Sequence, residues 1–383
     1  MKRKLISIFL IFLLVFTSCQ NSTNLSKENK TKKTKQETIK EDKKTYVEIL
    51  AMGDMIFHKP LVSNARVGDS YDFSIYFKNI EDDIKSADIS LANFEGTINK
   101  NKALSGFPRF NFPIQTVTGL KSVGFDVLTT ANNHCLDTGV DGIFQTINAI
   151  NDGQMINVGT YLDENHPPKI IEKNNIKIGF LAYTDLLNGM DSLVRGKEYL
   201  IDTFATNDVK KDIEALKNQV DFIVVIPHWG NEYQYSPSLR QVELKDLLFS
   251  SGADAILGSH PHVVQKFQDF SIDGKRKFLA YSMGNALSNQ RQRYLGKKGV
   301  ESGLMIKLKL EKNLTQNTTR LISSQVIPTY VMDINVDGKR TCQIFKYADI
   351  LPGGKFSDKI NGTEIDSINE KYNFVKNILE DKR

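Results

Sequence analysis

"FDVLTTANNHCLDTGVDGIFQTINAINDG", residues 125 to 153, runs through three patterns in succession. Its first part, to Thr130, is short, apolar and rich in β-branched residues, which is the signature of a buried strand. Its last part puts Val140, Ile143, Phe144, Ile147 and Ile150 at helical spacing, on one face. Between the two stand Asn132, Asn133 and His134, with Asn132 suited to shaping a turn. A polar loop at the carboxyl end of a strand is where α/β folds collect ligands and catalytic groups.

The same unit recurs along the chain. "YVEILAMGD" (46–54), "ADISLANFEG" (87–96), "IKIGFLAYTD" (176–185), "VDFIVVIPHWG" (220–230) and "ADAILGSHPH" (253–262) are further strand-like runs ending in small, polar or acidic residues. Helical spacing follows in residues 206–219 (Val209, Ile213, Leu216) and in residues 236–252, where Pro237 marks the start and Leu239, Val242, Leu247 and Leu248 form the apolar set. Strand and helix in alternation predict an α/β domain with helices covering its sheets. After residue 265 the pattern changes to hairpins, with Asp-Gly turns at 273–274 and 337–338, and Ile365, Ile368, Tyr372, Val375 and Leu379 predict a terminal helix within 363–383. No internal repeat is evident.

The amino terminus is a separate region. Met1-Lys-Arg-Lys precedes "LISIFLIFLLVF", an apolar run too short for an ordinary membrane span and typical of an export signal. The run ends at Thr17-Ser18-Cys19, small residues before a cysteine, which resembles the cleavage box of a bacterial lipoprotein with Cys19 as the lipidated residue. Residues 1–19 are therefore expected to be a signal peptide, and the mature protein to be lipid-anchored on the extracytoplasmic face of the cell membrane. Residues 20–44 hold eight lysines and almost no apolar side chains, a composition expected to form a disordered tether, leaving 45–383 as the folded domain. Those lysines against Glu28, Glu37, Glu41 and Asp42 account for +4 of the chain's formal +5. The folded part is close to neutral, which makes no case for a nucleic-acid partner, whereas a lysine-rich stalk suits an anionic bilayer. Cys135 and Cys342 are far apart and show no metal-type spacing.

Of six histidines, His134, His228, His260 and His262 fall at or just after strand ends, and Asp54 and Glu95 occupy the same place after other runs. Neutral imidazoles and carboxylates converging from several loops are what zinc, manganese or iron ions require. "GSHPH" is the most specific element, because a turn at Pro261 lets two imidazoles reach one point. Each residue taken singly could equally cap a helix or end a strand. His166, beside two prolines in a polar loop, reads as exposed.

"GDMIFH" (53–58), "NFEGTI" (93–98), "ANNHCLDTGVDG" (131–142), "PHWGNEY" (227–233) and "GADAILGSHPHVVQ" (252–265), in this order, resemble the CapA-type poly-γ-glutamate capsule biosynthesis proteins, a family related to calcineurin-like metallophosphoesterases. The resemblance implies an αββα sandwich of two mixed sheets flanked by helices. It implies Asp54, Glu95, Asn133, His228, His260 and His262 as ligands of one or two divalent ions (Mn, Zn or Fe), and His134 as the proton donor to a leaving oxygen. It also implies work on poly-γ-glutamate or a similar anionic polymer beside membrane-bound synthetase subunits. Two departures stand out: Ile56 replaces the histidine of the enzymes' first motif, the nearest being His58, and Glu95 replaces an aspartate. Ions held there acidify a bound water and polarise a substrate oxygen, chemistry that fits a phosphoester or a γ-glutamyl amide; a non-catalytic scaffold is the alternative. Asn93 and Arg109 are candidate substrate contacts, Trp229 is a candidate for a substrate wall or for the core, and Arg291 and Arg293 lie on a loop suited to anions.

Overall fold

The computed structural model describes residues 43–381 except 337. The signal segment with Cys19 and the tether from 20 to 42 lie outside the described residues. Lys44, read as the tether's last residue, opens the first strand.

In chain order the strands are β1 (Lys44–Met55), β2 (Arg66–Val67), β3 (Ser70–Tyr71), β4 (Ile89–Phe94), β5 (Val127–Thr129), β6 (Ile156–Val158), β7 (Lys169–Lys173), β8 (Ile176–Thr184), β9 (Phe222–His228), β10 (Ala255–Leu257), β11 (Phe267–Ile272), β12 (Lys275–Ala280), β13 (Asn285–Leu287), β14 (Ser302–Asn313), β15 (Thr318–Val336) and β16 (Lys339–Lys346). The helices are α1 (Lys59–Asn64), α2 (Glu81–Ser86), α3 (Gln115–Ser122), α4 (Val140–Asp152), α5 (Val209–Lys217), α6 (Leu239–Ser251), α7 (Gln292–Leu295), α8 (Tyr347–Ile350) and α9 (Gly362–Glu380). Among the described residues no helix is long and apolar enough to cross a membrane.

Two mixed sheets carry the fold. One runs β16-β15-β14-β1-β4-β5-β6, with β13 pairing the end of β1; the other runs β11-β12-β10-β9-β8-β7. Period-two alternation sends Val47, Ile49, Ala51, Leu91 and Val127 of the first sheet into one core with Ile178, Phe180, Val224, Ile226, Ala255 and Leu257 of the second. The opposite faces are covered by helices. Leu50, Met52, Ala92 and Leu128 pack with Ile84 of α2, Leu120 of α3 and Ile150 of α4. Ile223, Val225, Ile256 and Leu279 pack with Val209, Ile213 and Leu216 of α5 and with Leu244 and Leu248 of α6. The result is an αββα sandwich. The six strand-like runs singled out in the sequence are β1, β4, β5, β8, β9 and β10.

Helix α6 shows where periodicity misleads. Leu239 is 84% exposed and Leu247 40%, so neither belongs to the buried face, which is formed by Gln241, Leu244 and Leu248. A capping box fixes the start at Ser238, whose side chain accepts from the Gln241 N–H while the Gln241 side chain returns to the Ser238 N–H. Helix phase follows that cap rather than Pro237.

The central strand β1 carries one irregularity that matters for everything at its end. It pairs in parallel with β4 as Ala51 with Leu91 and Met52 with Ala92, and then as Asp54 with Asn93, so Gly53 is an extra residue. Strict alternation would turn Asp54 toward the helix-covered face occupied by Leu50 and Met52. The bulge turns it instead into the space between the sheets, in line with Leu91 and Asn93. Only glycine fits there: a Cβ on Gly53 would sit 1.9 Å from the Gly284 carbonyl oxygen. That carbonyl also accepts from the Asp54 N–H at 3.0 Å. Gly53→Ala is expected to cost about 2–3 kcal/mol through this backbone clash and to lower metal uptake with it, read from a denaturant midpoint and metal analysis of the same sample; a stable variant with wild-type uptake would refute the role given to the bulge.

Candidate metal centre

The carboxyl ends of the parallel strands from both sheets meet along one edge. Asp54 ends β1, Asn93 and Glu95 end β4, Asn133 and His134 follow β5, His228 ends β9, and His260 and His262 follow β10; all are buried. Five loops have thus been brought to one place by strand direction alone.

Asn93 sits at the middle. Its amide nitrogen donates to Asp54 Oδ1 at 2.9 Å and lies 3.5 Å from Glu95 Oε2 and 3.3 Å from His228 Nδ1. Its carbonyl oxygen accepts from Thr129 Oγ1 and Asn132 Nδ2. His228 Nε2 is 2.9 Å from Asn133 Oδ1 and 3.1 Å from His260 Nδ1. His262 spans two carboxylates, Nδ1 at 3.2 Å from Asp54 Oδ2 and Nε2 at 3.5 Å from Glu95 Oε1. The two histidines of "GSHPH" reach the site because both adopt left-handed backbone, φ 97° at His260 and 56° at His262, a conformation that costs of order 1–3 kcal/mol at a non-glycine residue.

Ligand atoms fall into two groups, Asp54, Glu95 and His228, and Glu232, His260 and His262, each with its atoms within 4.8 Å of one another. Glu232 escaped the sequence reading although it lies four residues after His228. Gly230 turns the chain at φ 86°, and the Tyr233 N–H donates to the Pro261 carbonyl at 2.8 Å, which ties this loop to the histidine turn. An acidic residue within the same short loop as a ligand histidine was the available signal.

Burial shapes the electrostatics. Desolvation holds His228 well below the usual imidazole range and His260 down at about 3, with the neighbouring histidines adding to it, so both stay neutral, as ligands must. Desolvation raises Glu95 well above the usual carboxylate range. The same desolvation would lower His262, but Glu95 and Asp54 outweigh it and raise the imidazole to about 9. A proton on His262 is thereby doing what a cation would do. Glu95 Oε1 is buried with no hydrogen-bond partner, His262 Nδ1 meets only the Asp54 carboxylate, and a donor set of imidazoles, carboxylates and an amide oxygen suits a divalent ion. The residues fit such an ion.

His134 stands beside the ligands. Its Nδ1 is 2.8 Å from Asp137 Oδ2, its Nε2 is 4.0 Å from Glu95 Oε1, and Phe110 packs edge-on at 4.7 Å. Asp137 orients this ring, and α4 begins three residues later at Val140 behind Gly139.

Four candidates land elsewhere. Trp229 is fully buried in the core beneath α5 and α6, its indole N–H donating to the Tyr281 carbonyl at 2.8 Å, and forms no substrate wall. Asn93, taken as a substrate contact, is enclosed among the ligands. Arg291 is 2% exposed and committed to Asp333 and to the Ser288 and Gln290 carbonyls, while Arg293 shares Asp333, so neither is a free anion-binding group. Arg109 is exposed, next to Phe110. His166 is half-buried and stacks on Tyr161 at 3.7 Å. Cys135 and Cys342 are both free and buried.

Residues 48–290 match the family model of the bacterial capsule synthesis protein PGA_cap. The capsule biosynthesis protein CapA of Bacillus anthracis is 30% identical over 233 residues, 57% of this chain and 55% of that protein. The PGA biosynthesis protein CapA of Bacillus subtilis (strain 168) is 28% identical over 228 residues, 56% of this chain and 57% of that protein. The chain thus spans little more than half the length of the curated relatives it matches. A solved phosphatase from Mycoplasma pneumoniae aligns with a TM-score of 0.44 at 15% identity, covering 74% of this chain and 93% of that one.

The His262 proton sets the pH behaviour. Its folded value is above the ordinary 6.5, so its contribution to the metal-free fold is full below about pH 6.5 and is lost as pH rises through about 9. An incoming ion must displace that proton, so metal affinity is expected to rise with pH up to about 9. Calorimetry of Mn²⁺ binding near neutral pH, in buffers of different ionisation enthalpy, should register proton release; identical heats in all buffers would contradict the arrangement.

Proposed function

We propose, since this chain belongs to the family of the bacterial capsule synthesis protein PGA_cap, that it is a lipid-anchored extracytoplasmic protein serving synthesis or export of poly-γ-glutamate or a similar anionic polymer, with a divalent-metal centre at its heart. The observation that carries the metal part is the buried, unpartnered Glu95 Oε1 standing between two groups of three ligands. Asp54, Glu95 and His228 would hold one ion and Glu232, His260 and His262 a second, with the Asn133 amide oxygen beside His228. Such an ion supplies Lewis acidity to a phosphoryl or acyl oxygen and to water.

The protein's own groups account for the rest. Asp137 fixes the His134 ring and leaves Nε2 facing the centre, the geometry of a general acid that protonates a leaving oxygen or nitrogen. Arg109, exposed on the loop whose Phe110 touches His134, stands where a polyanion would pass. Cys19 is the proposed lipid attachment point, the lysine-rich segment behind it suits an anionic membrane surface, and membrane-bound polymer synthetase subunits are the proposed partners.

A second reading, a metal-dependent hydrolase of a phosphoester or γ-glutamyl amide, is favoured by the oriented His134–Asp137 pair, which a scaffold has no use for. The full chain is expected to take up manganese, zinc or iron stoichiometrically, and His260→Ala to lose it. His134→Ala should keep the metal yet lower hydrolysis of a model phosphodiester or γ-glutamyl peptide by about 10²–10⁴-fold. No metal uptake by the wild-type chain defeats the metal centre; uptake without hydrolysis leaves the scaffold form of the polymer role and removes the hydrolase. Retention of the Cys19→Ala chain in the membrane fraction would defeat the lipid anchor.

A further inference from the structure

His58, the histidine nearest to Ile56 where the first motif is broken, has an environment that the metal centre does not explain. It follows Asp54 by four residues, caps the short helix α1, and is not among the side chains whose ligand atoms converge within 4.8 Å among the described residues. We propose that His58 is an anion anchor of the same site, a neutral imidazole whose Nε2–H donates to an anionic substrate oxygen, phosphoryl or carboxylate, while the metal holds that substrate from the other side.

The tautomer follows from the backbone. His58 Nδ1 lies 3.2 Å from the Asn289 N–H, which can only donate, so this nitrogen is the acceptor. The Ile56 carbonyl is also 3.2 Å from Nδ1, but it already accepts from the His58 backbone N–H at 3.0 Å, so a proton on Nδ1 would cost the Asn289 N–H its acceptor while a proton on Nε2 leaves both backbone groups satisfied. The ring proton therefore sits on Nε2, and among the described residues no group accepts from it. A nitrogen committed to Asn289 on one side and protonated on the other has no lone pair to offer a metal.

Ring orientation is fixed as well. Phe110 packs edge-on against His58 at 5.3 Å and edge-on against His134 at 4.7 Å, so one phenyl ring holds the imidazole and the proposed proton donor in a single wall. Burial first, and then the cationic side chains around it, Arg291 among them, disfavour a charge on His58. A neutral donor meets an anion without a proton having to be taken up first, and a hydrogen bond to an ionised oxygen is among the stronger kinds. The inference rests on the metal-centre reading above, because the ion supplies the second hold on the anion.

The test uses the full chain loaded with Mn²⁺ and titrated separately with inorganic phosphate and with glutarate, by calorimetry, with metal content measured on each sample. His58→Phe keeps an aromatic ring against Phe110 and removes the donor; it is expected to retain wild-type metal content and to bind the anion about 10- to 100-fold more weakly. His58→Gln restores an N–H near the Nε2 position and should bind within about threefold of wild type. Weakening for phosphate alone identifies a phosphoryl site, and for glutarate alone a carboxylate site. The proposal is overturned if His58→Phe binds both anions as wild type does, if it loses metal, if His58→Gln is no better than His58→Phe, or if metal-loaded wild type binds neither anion. Failure of wild type to take up metal is a different result, which removes the centre itself and this proposal along with it.

Discussion

Two carboxylates, Asp54 and Glu95, are fully buried at one edge of the sheets, where burial and then the nearby Asp54 raise the proton affinity of Glu95. An ionised carboxyl taken out of water is tolerated only when a positive charge or a proton accompanies it. Everything around the pair follows from that constraint. His262 bridges both acids and carries a proton that a dilute solution would not leave on an imidazole at neutral pH. Asn93 donates to Asp54, the His260 backbone N–H donates to it at 3.2 Å, and His228 and His260 stay neutral so as not to compete for the counter-charge.

Delivering these groups requires backbone that the sandwich would not otherwise adopt. The bulge at Gly53 re-aims Asp54, the left-handed residues His260 and His262 fold two imidazoles toward one point, and Gly230 swings Glu232 over them. Such conformations are costly and persist only where their surroundings over-determine them. Here the surroundings are strand ends already fixed by the inter-sheet core, so strain is confined to the loops while the alternating apolar residues of β1, β8 and β9 hold the frame.

This division explains what could be read from the amino acids. Strand periodicity and helical spacing are local, so β1, β4, β5, β8, β9, β10 and the helices α4, α5 and α9 were legible, as were the polar residues ending those strands. Groups whose role depends on another loop were not. Asp137 looks like a residue of the following turn until His134 folds back onto it, and Glu232, exposed, comes within reach of His260 and His262 only because Tyr233 ties its loop to Pro261. Arg291 failed for the opposite reason: a charged side chain in a loop-like segment suggests a surface, whereas it is buried against Asp333, distant in sequence; of the two readings of Trp229, the core is the one that holds. Leu239 and Leu247 show the same limit for a helix, where packing of Leu244 and Leu248 against the sheet decides the buried face that counting apolar residues did not.

The glutamate at position 95 is where local chemistry and the two ligand groups meet. An aspartate at the end of β4 would stop one methylene short. Glu95 instead belongs with Asp54 and His228 while its Oε1 lies 3.5 Å from His262, a member of the other group, and 4.0 Å from His134. A longer side chain therefore spans both groups and ends facing the proposed acid. Its unpartnered oxygen is the acceptor that faces both His262 and His134, whereas Asp54 with His262 and His228 with His260 join the two groups independently of it. The departure from the aspartate of the metallophosphoesterase enzymes is in this geometry a change of reach that carries the carboxylate toward His134, with an imidazole on either side of it.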